Sequence, residues 1–187
     1  MNSLKEYTIT KSTVESYKIR HPSGMYWADI TVDGEDRQVR IQIASDWGDY
    51  QYYWGACGPG FKVFLQEIDM YYAAGKFGAD RWFDHDKTIT NWKNNVIEYR
   101  RQGDLEEAEA RDIYDEIKEL EEEGDYNNDQ MFISHAMTKD AMVEFFDCDG
   151  LCSVVYDITP QFRKFWATAW QVFLQELART EEISVSR

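Results

Sequence analysis

The sequence predicts an α+β fold, in which an N-terminal antiparallel β-meander is covered by helices. Three observations carry this prediction: apolar and polar residues alternate over 25–43, apolar residues recur every three or four positions in later segments, and 187 residues suit one domain. Alternation is typical of strands with one buried face, and the wider spacing is typical of helices with one apolar face.

The predicted meander begins with loosely alternating segments over 6–13 and 15–20. The next strand, from Met25, has one face formed by Tyr26, Ala28, Ile30 and Val32. Asp33-Gly34 predicts a hairpin turn, because this dipeptide readily adopts positive φ angles. The return strand directs Val39, Ile41 and Ile43 inward. A further aromatic strand, 50–54, directs Tyr50, Tyr52 and Trp54 to one face and Gln51 and Tyr53 to the other.

Helices are predicted where apolar stripes follow capping signals. The first opens at Gly58-Pro59-Gly60 and has the stripe Phe61, Phe64, Leu65, Ile68 and Tyr72. The second is capped by Thr88 and has the stripe Ile89, Trp92, Val96 and Tyr99. The third is capped by Asp104, with Glu107 in the capping-box position, and has the seam Ala110, Ile113, Ile117 and Leu120. We interpret 88–124 as an acidic αα-hairpin arm inserted into a single domain, 1–187.

The C-terminal part predicts short helices over 131–146, a strand over 151–158 and a last helix capped by Thr159. The apolar face of this last helix comprises Phe162, Phe165, Trp166, Ala169, Trp170, Phe173, Leu174 and Leu177. Residues 178–187 show no clear period and are expected to form a frayed tail.

Charge is the most informative bulk property, since the chain carries −15. Such a field disfavours direct contact with nucleic acid or anionic membranes and favours basic partners. No apolar run is long enough to span a bilayer, the N-terminus lacks the features of a signal peptide, and three cysteines do not suggest a disulfide framework. We therefore expect a cytoplasmic protein.

The acidic segment 104–125 contains twelve acids and two bases, and so holds −10 of the total charge. A row of carboxylates on a helix could imitate a phosphate backbone, whereas the alternative is a solvated helix face. Acids also crowd the end of this helix, where the helix dipole disfavours them. The candidate partner-binding residues are Glu109, Asp112, Asp115, Glu116, Glu119, Glu122 and Glu123, with Trp47 and Tyr53 as aromatic anchors.

A metal site is the enzymatic alternative. Asp80, Asp84, His85 and Asp86 offer oxygen and imidazole ligands in one loop, although consecutive residues rarely all face one ion. The other interpretation is a polar loop in which Asp84 or Asp86 caps the following helix. The sequence contains no phosphate-binding loop, dinucleotide fingerprint or nucleophile elbow. We therefore expect no catalytic residue, cofactor or metal.

One stretch resembles a known family. Residues 41–50, Ile-Gln-Ile-Ala-Ser-Asp-Trp-Gly-Asp-Tyr, are followed by Trp54-Gly55 and by Phe61-Lys62-Val63-Phe64-Leu65. This pattern resembles a family of uncharacterised accessory proteins from bacteriophages and prophages, and the resemblance covers about 38–86. It implies expression in an infected bacterial cell and no settled activity, so it assigns no residue a role.

These observations lead to one functional expectation and two alternatives. We expect a non-enzymatic acidic protein that inhibits a nucleic-acid-binding defence effector of the host, in the manner of an anti-CRISPR protein or nucleic-acid mimic. Its partner would be a basic host protein in the bacterial cytoplasm. The alternatives are a metal-dependent enzyme that uses the Asp/His cluster, and a structural phage protein whose 110–120 seam pairs with itself, which would allow a homodimer.

Overall fold

The structure is a computed structural model that describes residues 7–79, 81–124, 126 and 128–185. These residues form two compact units. The first comprises the described residues up to 79 and from 158 onward, and the second comprises the described residues of 81–157. The sequence analysis expected one domain with an insertion over 88–124. The second unit, which begins at residue 81 and ends at residue 157, extends beyond that predicted insertion on both sides.

The first unit contains the predicted meander. Its strands are β1 (Glu15–Ile19), β2 (Ala28–Glu35), β3 (Gln38–Ser45) and β4 (Tyr50–Trp54), antiparallel and in chain order. The inward residues of β2 and β3 are buried as predicted: Ala28, Ile30, Val32, Val39, Ile41 and Ile43. Together with the helices, this sheet confirms the α+β class. Among the described residues before Glu15 there is no strand, so the strand expected over 6–13 is not formed from residue 7 onward.

The β2–β3 turn, at Asp36-Arg37, lies three residues beyond the predicted position. Gly34 is inside β2 and pairs with Val39, and the strands reverse after the Glu35–Gln38 pair. A Cβ atom built on Gly34 would lie 2.8 Å from the ring of Phe61, so glycine is required here by close packing. The predicted Asp33-Gly34 turn is therefore wrong, because the same residue type serves close approach as well as turning.

Helices cover one face of the sheet in the first unit. They are α1 (Phe61–Glu67), α2 (Met70–Phe77), α7 (Pro160–Phe165) and α8 (Gln171–Val185), with a π-helical segment at Trp166–Trp170. The single helix predicted from Phe61 is two, since Ile68 is extended and Asp69 caps α2. Thr159 caps α7 as predicted. The last helix passes Leu177 and ends at Val185, and residues 186–187 of the expected tail lie outside the described residues.

The second unit is mainly helical. It contains β5 (Arg81–Phe83), α3 (His85–Gln102), α4 (Glu107–Glu123), α5 (Asp129–Ala136) and α6 (Asp140–Leu151). Strand β5 pairs with β6 (Tyr156–Ile158), whose last residue is the first of the C-terminal segment of the first unit. The hairpin α3–α4 turns at Gly103, which has a positive φ of 87°. The strand predicted over 151–158 is limited to β6. No helix in the described part of the chain is both long and apolar enough to cross a membrane.

The predicted helix caps in this unit are each displaced. Asp84, not Thr88, caps α3 by accepting a hydrogen bond from Lys87 N at 3.0 Å. Thr88 is buried, and its hydroxyl accepts the backbone N–H of Val155 at 2.9 Å. Helix α4 begins after Glu106, whose backbone N–H donates to Glu109 at 3.0 Å. The capping-box pattern was therefore recognised correctly but placed two residues early at Asp104.

The α4 seam is used inside the second unit. Ile113, Ile117 and Leu120 are buried there in one apolar cluster with Trp92, Val96, Phe132 and Met142. The residues that the self-pairing hypothesis assigned to an oligomer contact therefore already have partners within the chain.

Two glycine substitutions test the packing of the first unit. Gly34→Val places methyl groups against the Phe61 ring, and we expect the free energy of unfolding to fall by about 1–3 kcal/mol. The matched control is Gly75→Ala in α2, where nothing lies within 4 Å of the added Cβ and stability should rise by about 0.5–1 kcal/mol. Urea unfolding of both variants measures this, and equal effects of the same sign would contradict it.

Candidate acidic binding cleft

Most acids of α4 interact with other groups of the protein. Four of its glutamates form ion pairs: Glu107 with Arg111 at 3.1 Å, Glu119 with Lys139 at 2.7 Å, Glu121 with Lys93 at 2.5 Å and Glu122 with Lys118 at 3.5 Å. The hydrogen bond from Lys139 lowers the pKa of the Glu119 carboxyl. Two of the predicted partner-binding residues, Glu119 and Glu122, are thus already paired within the chain.

Glu116 has a structural role. Its carboxylate is half-buried and accepts the backbone N–H groups of Ala141 at 3.3 Å and Met142 at 2.8 Å. These donors belong to the first turn of α6, where backbone N–H groups lack partners within the helix. Glu116 therefore caps a neighbouring helix, and the predicted continuous row from Glu109 to Glu123 is interrupted at its centre.

Glu123 belongs to a polar group at the end of α4. Its carboxylate lies 3.1 Å from His135 Nδ1 and 3.2 Å from the Tyr126 hydroxyl, which is itself 2.8 Å from His135 Nδ1. Burial, and next the hydrogen bond to Glu123, raise the pKa of Tyr126 to about 12. The hydroxyl therefore stays protonated and available as a donor throughout the physiological pH range.

Four carboxylates of this unit border one cleft. Its volume is about 440 Å³, and its polar lining consists of Asp104, Glu109, Asp112 and Glu144. Within the described residues, none of these four has a Lys, Arg or His nitrogen within 4 Å. Glu109 also accepts the Glu106 N–H, which occupies one of its oxygens. We call this feature the acidic cleft.

Apolar side chains form the walls of the acidic cleft. These are Tyr99, Leu105, Ile113, Ala141 and Phe145. The Tyr99 ring packs edge-on against Phe145, with centroids 5.2 Å apart, and is 48% exposed. Tyr99 is the last position of the apolar stripe predicted for α3, and unlike Ile89, Trp92 and Val96 it is not buried. An aromatic wall beside carboxylates is suited to a cation that has an apolar stem.

Two acids of the acidic cleft, Glu109 and Asp112, are among the predicted partner-binding residues, and Asp104 belongs to the predicted acidic segment. Glu144 and Phe145 were not predicted. Those two residues lie on α6, and only the packing of α6 against α4 brings them to the cleft. No local pattern signals that approach. The remaining candidate on α4, Asp115, is exposed and lies outside the cleft.

The predicted aromatic anchors belong to the first unit. Trp47 is only 8% exposed and stacks on Tyr26, so it offers little free surface to a partner. Tyr53 is 49% exposed, but its hydroxyl donates to Gln38 at 2.7 Å and Arg40 lies above its ring. The structure therefore leaves Tyr53 as a surface residue with local partners.

The Asp/His loop is organised as a helix start. Asp84 caps α3 and pairs with Lys87 at 3.1 Å, while His85 Nδ1 lies 3.3 Å from Asp86. In the part of the chain that the structure describes, no group of three His, Cys, Asp or Glu side chains is arranged to hold a metal ion. Asp80, the fourth candidate, lies outside the described residues. The arrangement matches the capping interpretation of this loop.

Comparison with known proteins agrees with the phage resemblance. The fold and charge define a strongly acidic α+β protein. A family model described as a phage family, Phage_phiTE_072, matches residues 7–180, and the chain therefore belongs to this family of phage proteins. No significantly similar curated protein and no significantly similar solved structure was found.

The capping role of Glu116 is directly testable. Glu116→Ala removes the acceptor for the Ala141 and Met142 N–H groups, and we expect a loss of about 1–2 kcal/mol in the free energy of unfolding. The control is Asp115→Ala, the adjacent exposed acid, which should change stability by no more than about 0.5 kcal/mol. Thermal and urea unfolding report the difference. Equal effects would show that Glu116 is an ordinary surface acid.

Proposed function

We propose that this phage protein is a non-enzymatic binding protein that occupies a basic, nucleic-acid-binding surface of a bacterial host protein. The observation that supports the proposal most is the acidic cleft, because its carboxylates remain unpaired while most other acids of α4 have internal partners. A defence effector is the host class that we expect, which would make the protein similar in action to an anti-CRISPR protein. Its place of action would be the host cytoplasm.

A partner would not contact a uniform row of carboxylates along α4. Glu116, Glu119, Glu121 and Glu123 are engaged within the chain, so a partner would contact mainly Asp104, Glu109, Asp112 and Glu144. Arginine or lysine side chains that normally hold phosphates fit this arrangement, since each would meet a carboxylate and an apolar wall. Tyr99 and Phe145 would cover the methylene stem of such a side chain.

Magnitudes predict a salt-sensitive interaction. Each exposed ion pair contributes about 0.5 kcal/mol, so three pairs would contribute roughly 1.5 kcal/mol, or about a tenfold change in Kd. A cation over an exposed aromatic ring adds about 0.5–1 kcal/mol. At physiological ionic strength charges are screened over about 8 Å, and binding of this kind should weaken as salt rises.

Selective neutralisation of the acidic cleft tests the proposal. The cleft variant is Asp104→Asn, Asp112→Asn and Glu144→Gln, and the control variant is Glu35→Gln, Glu67→Gln and Asp115→Asn. Both lose three charges, but the control acids are exposed and lie outside the cleft. Each immobilised protein is incubated with nuclease-treated bacterial lysate at about 50 mM and about 500 mM salt, and captured proteins are identified by mass spectrometry.

We expect wild type and control to retain nucleic-acid-binding proteins at low salt and to release them at high salt or on addition of duplex DNA. The cleft variant should bind the captured protein at least about tenfold more weakly in a titration with purified components. If the cleft variant and the control bound equally well, the proposal that the partner binds at the acidic cleft would be wrong. If duplex DNA did not release the captured protein, the proposal that the partner surface is a nucleic-acid-binding surface would be wrong.

A further inference from the structure

A second cavity, in the first unit, has the opposite electrostatic character. Its volume is about 440 Å³, and its lining comprises Ile19, Arg20, His21, Tyr26, Trp47, Lys164, Thr168, Ala169 and Val172. No carboxylate is among these described lining residues, although the chain as a whole carries −15. We call it the basic pocket. The net negative charge of the chain does not explain why Arg20, His21 and Lys164 lie around one cavity.

Lys164 supplies the available charge. Its ammonium lies 4.8 Å from the centroid of the Tyr26 ring, and no carboxylate of the described residues lies within ion-pair distance. Other lysines of the chain, such as Lys87 and Lys139, do pair with carboxylates. Lys164 therefore has an aromatic contact where those residues have an anion.

The other two basic residues contribute differently. His21 Nδ1 lies 3.2 Å from the backbone N–H of Ser23, which can only donate, so the neutral ring carries its proton on Nε2 and keeps that donor. The Arg20 guanidinium is committed to Asp29 at 2.6 Å and to the carbonyls of Ile19 and Ala28. Asp29 thus compensates the charge of Arg20, while Lys164 and His21 retain donors for a ligand.

Asp46 and the residues around it build the aromatic wall of the basic pocket. Asp46 accepts the backbone N–H groups of Tyr26 and Trp27 and thereby holds Tyr26 at a φ of 61°, which non-glycine residues seldom adopt. In that conformation the Tyr26 ring stacks on Trp47, with centroids 5.9 Å apart and an interplanar angle of 18°. Strained backbone held by surrounding contacts is concentrated at functional sites.

The opposite side of the pocket is also irregular. Thr168 and Ala169 belong to the π-helical segment Trp166–Trp170, and single π turns inside α-helices are frequent at binding sites. The Thr168 hydroxyl donates to the Lys164 carbonyl at 2.6 Å, which links the π segment to the helical turn that carries the lysine. Two local departures from regular structure therefore border the same cavity.

We infer that the basic pocket binds a small aromatic molecule bearing an acidic group, with its ring against the Tyr26–Trp47 wall and its anion near Lys164 and His21. The volume falls within the range of roughly 300–1,000 Å³ typical of small-molecule sites. The carboxylates of Asp29 and Asp46 are engaged with Arg20 and with backbone N–H groups, and charges beyond about 8 Å are largely screened. This site is independent of the acidic cleft and of the proposed function.

Binding is tested with a panel that separates ring from charge. Adenosine 5′-monophosphate and indole-3-acetate each combine an aromatic ring with an anion, as phosphate and carboxylate respectively. Adenosine supplies a ring without charge, and inorganic phosphate supplies charge without a ring. Each is titrated into ¹⁵N-labelled protein, and the Trp47 indole resonance, assigned through Trp47→Phe, reports occupancy of the pocket. We expect at least one aromatic acid to bind at least about tenfold more tightly than adenosine and phosphate.

Substitutions of the exposed Lys164 distinguish loss of the ammonium charge from loss of the fold. Lys164→Met should weaken binding of that aromatic acid about tenfold or more, Lys164→Arg should retain it, and the control Lys11→Met, an exposed lysine outside the pocket, should leave it unchanged. Amide resonance dispersion verifies that each variant is folded. No shift of the Trp47 indole with either acid at about 5 mM, or equal affinity of Lys164→Met and Lys11→Met, would overturn the inference.

Discussion

Burial of Ile113, Ile117 and Leu120 in the second unit fixes the orientation of α4, and the arrangement of its acids follows from that. Each such side chain contributes about 1.5–3 kcal/mol when fully buried, whereas a pair of like charges on a helix costs only a few tenths. The apolar contacts therefore determine the rotation of the helix. That rotation brings Glu116 to the start of α6 and Asp112 to the cleft. Acid positions are thus a consequence of core packing, and some serve the fold.

This arrangement also explains the acids near the end of α4, which the helix dipole alone would disfavour. Glu121 meets Lys93 of α3, Glu119 meets Lys139 just before α6, and Glu123 meets His135 of α5. The ammonium groups of Lys93 and Lys139 offset part of this unfavourable placement, and His135 adds a polar contact to Glu123. The high density of acids is therefore partly structural. The proposed function depends on the four acids of the acidic cleft, which have no cationic partner among the described residues. Their common location beside Tyr99 and Phe145 distinguishes them from an evenly solvated face.

Sequence patterns predicted what depends on local periodicity and failed where distant segments meet. Alternation placed Val39, Ile41 and Ile43 in the core, and Thr159 was correctly assigned as a cap, because both depend on residues a few positions apart. Gly34 was misassigned because its role is set by Phe61 on another element. The burial of Trp47 was not predicted, because it depends on contacts with distant residues such as Phe165. Glu144 was missed since only tertiary packing brings it beside Asp112.

Net charge describes the whole chain and predicts the chemistry of a single site poorly. The acidic cleft and the basic pocket belong to one chain of −15, yet the first lacks a cation and the second lacks a carboxylate in its lining. With screening over about 8 Å, the charges that border a cavity outweigh the total. Asp46 and Trp47 shape the basic pocket in the first unit, whereas the acids of α4 lie in the second unit. The composition therefore indicates the acidic helix as the functional element. The local geometry gives Asp46 and Trp47 a separate role, which is to form the wall of the basic pocket.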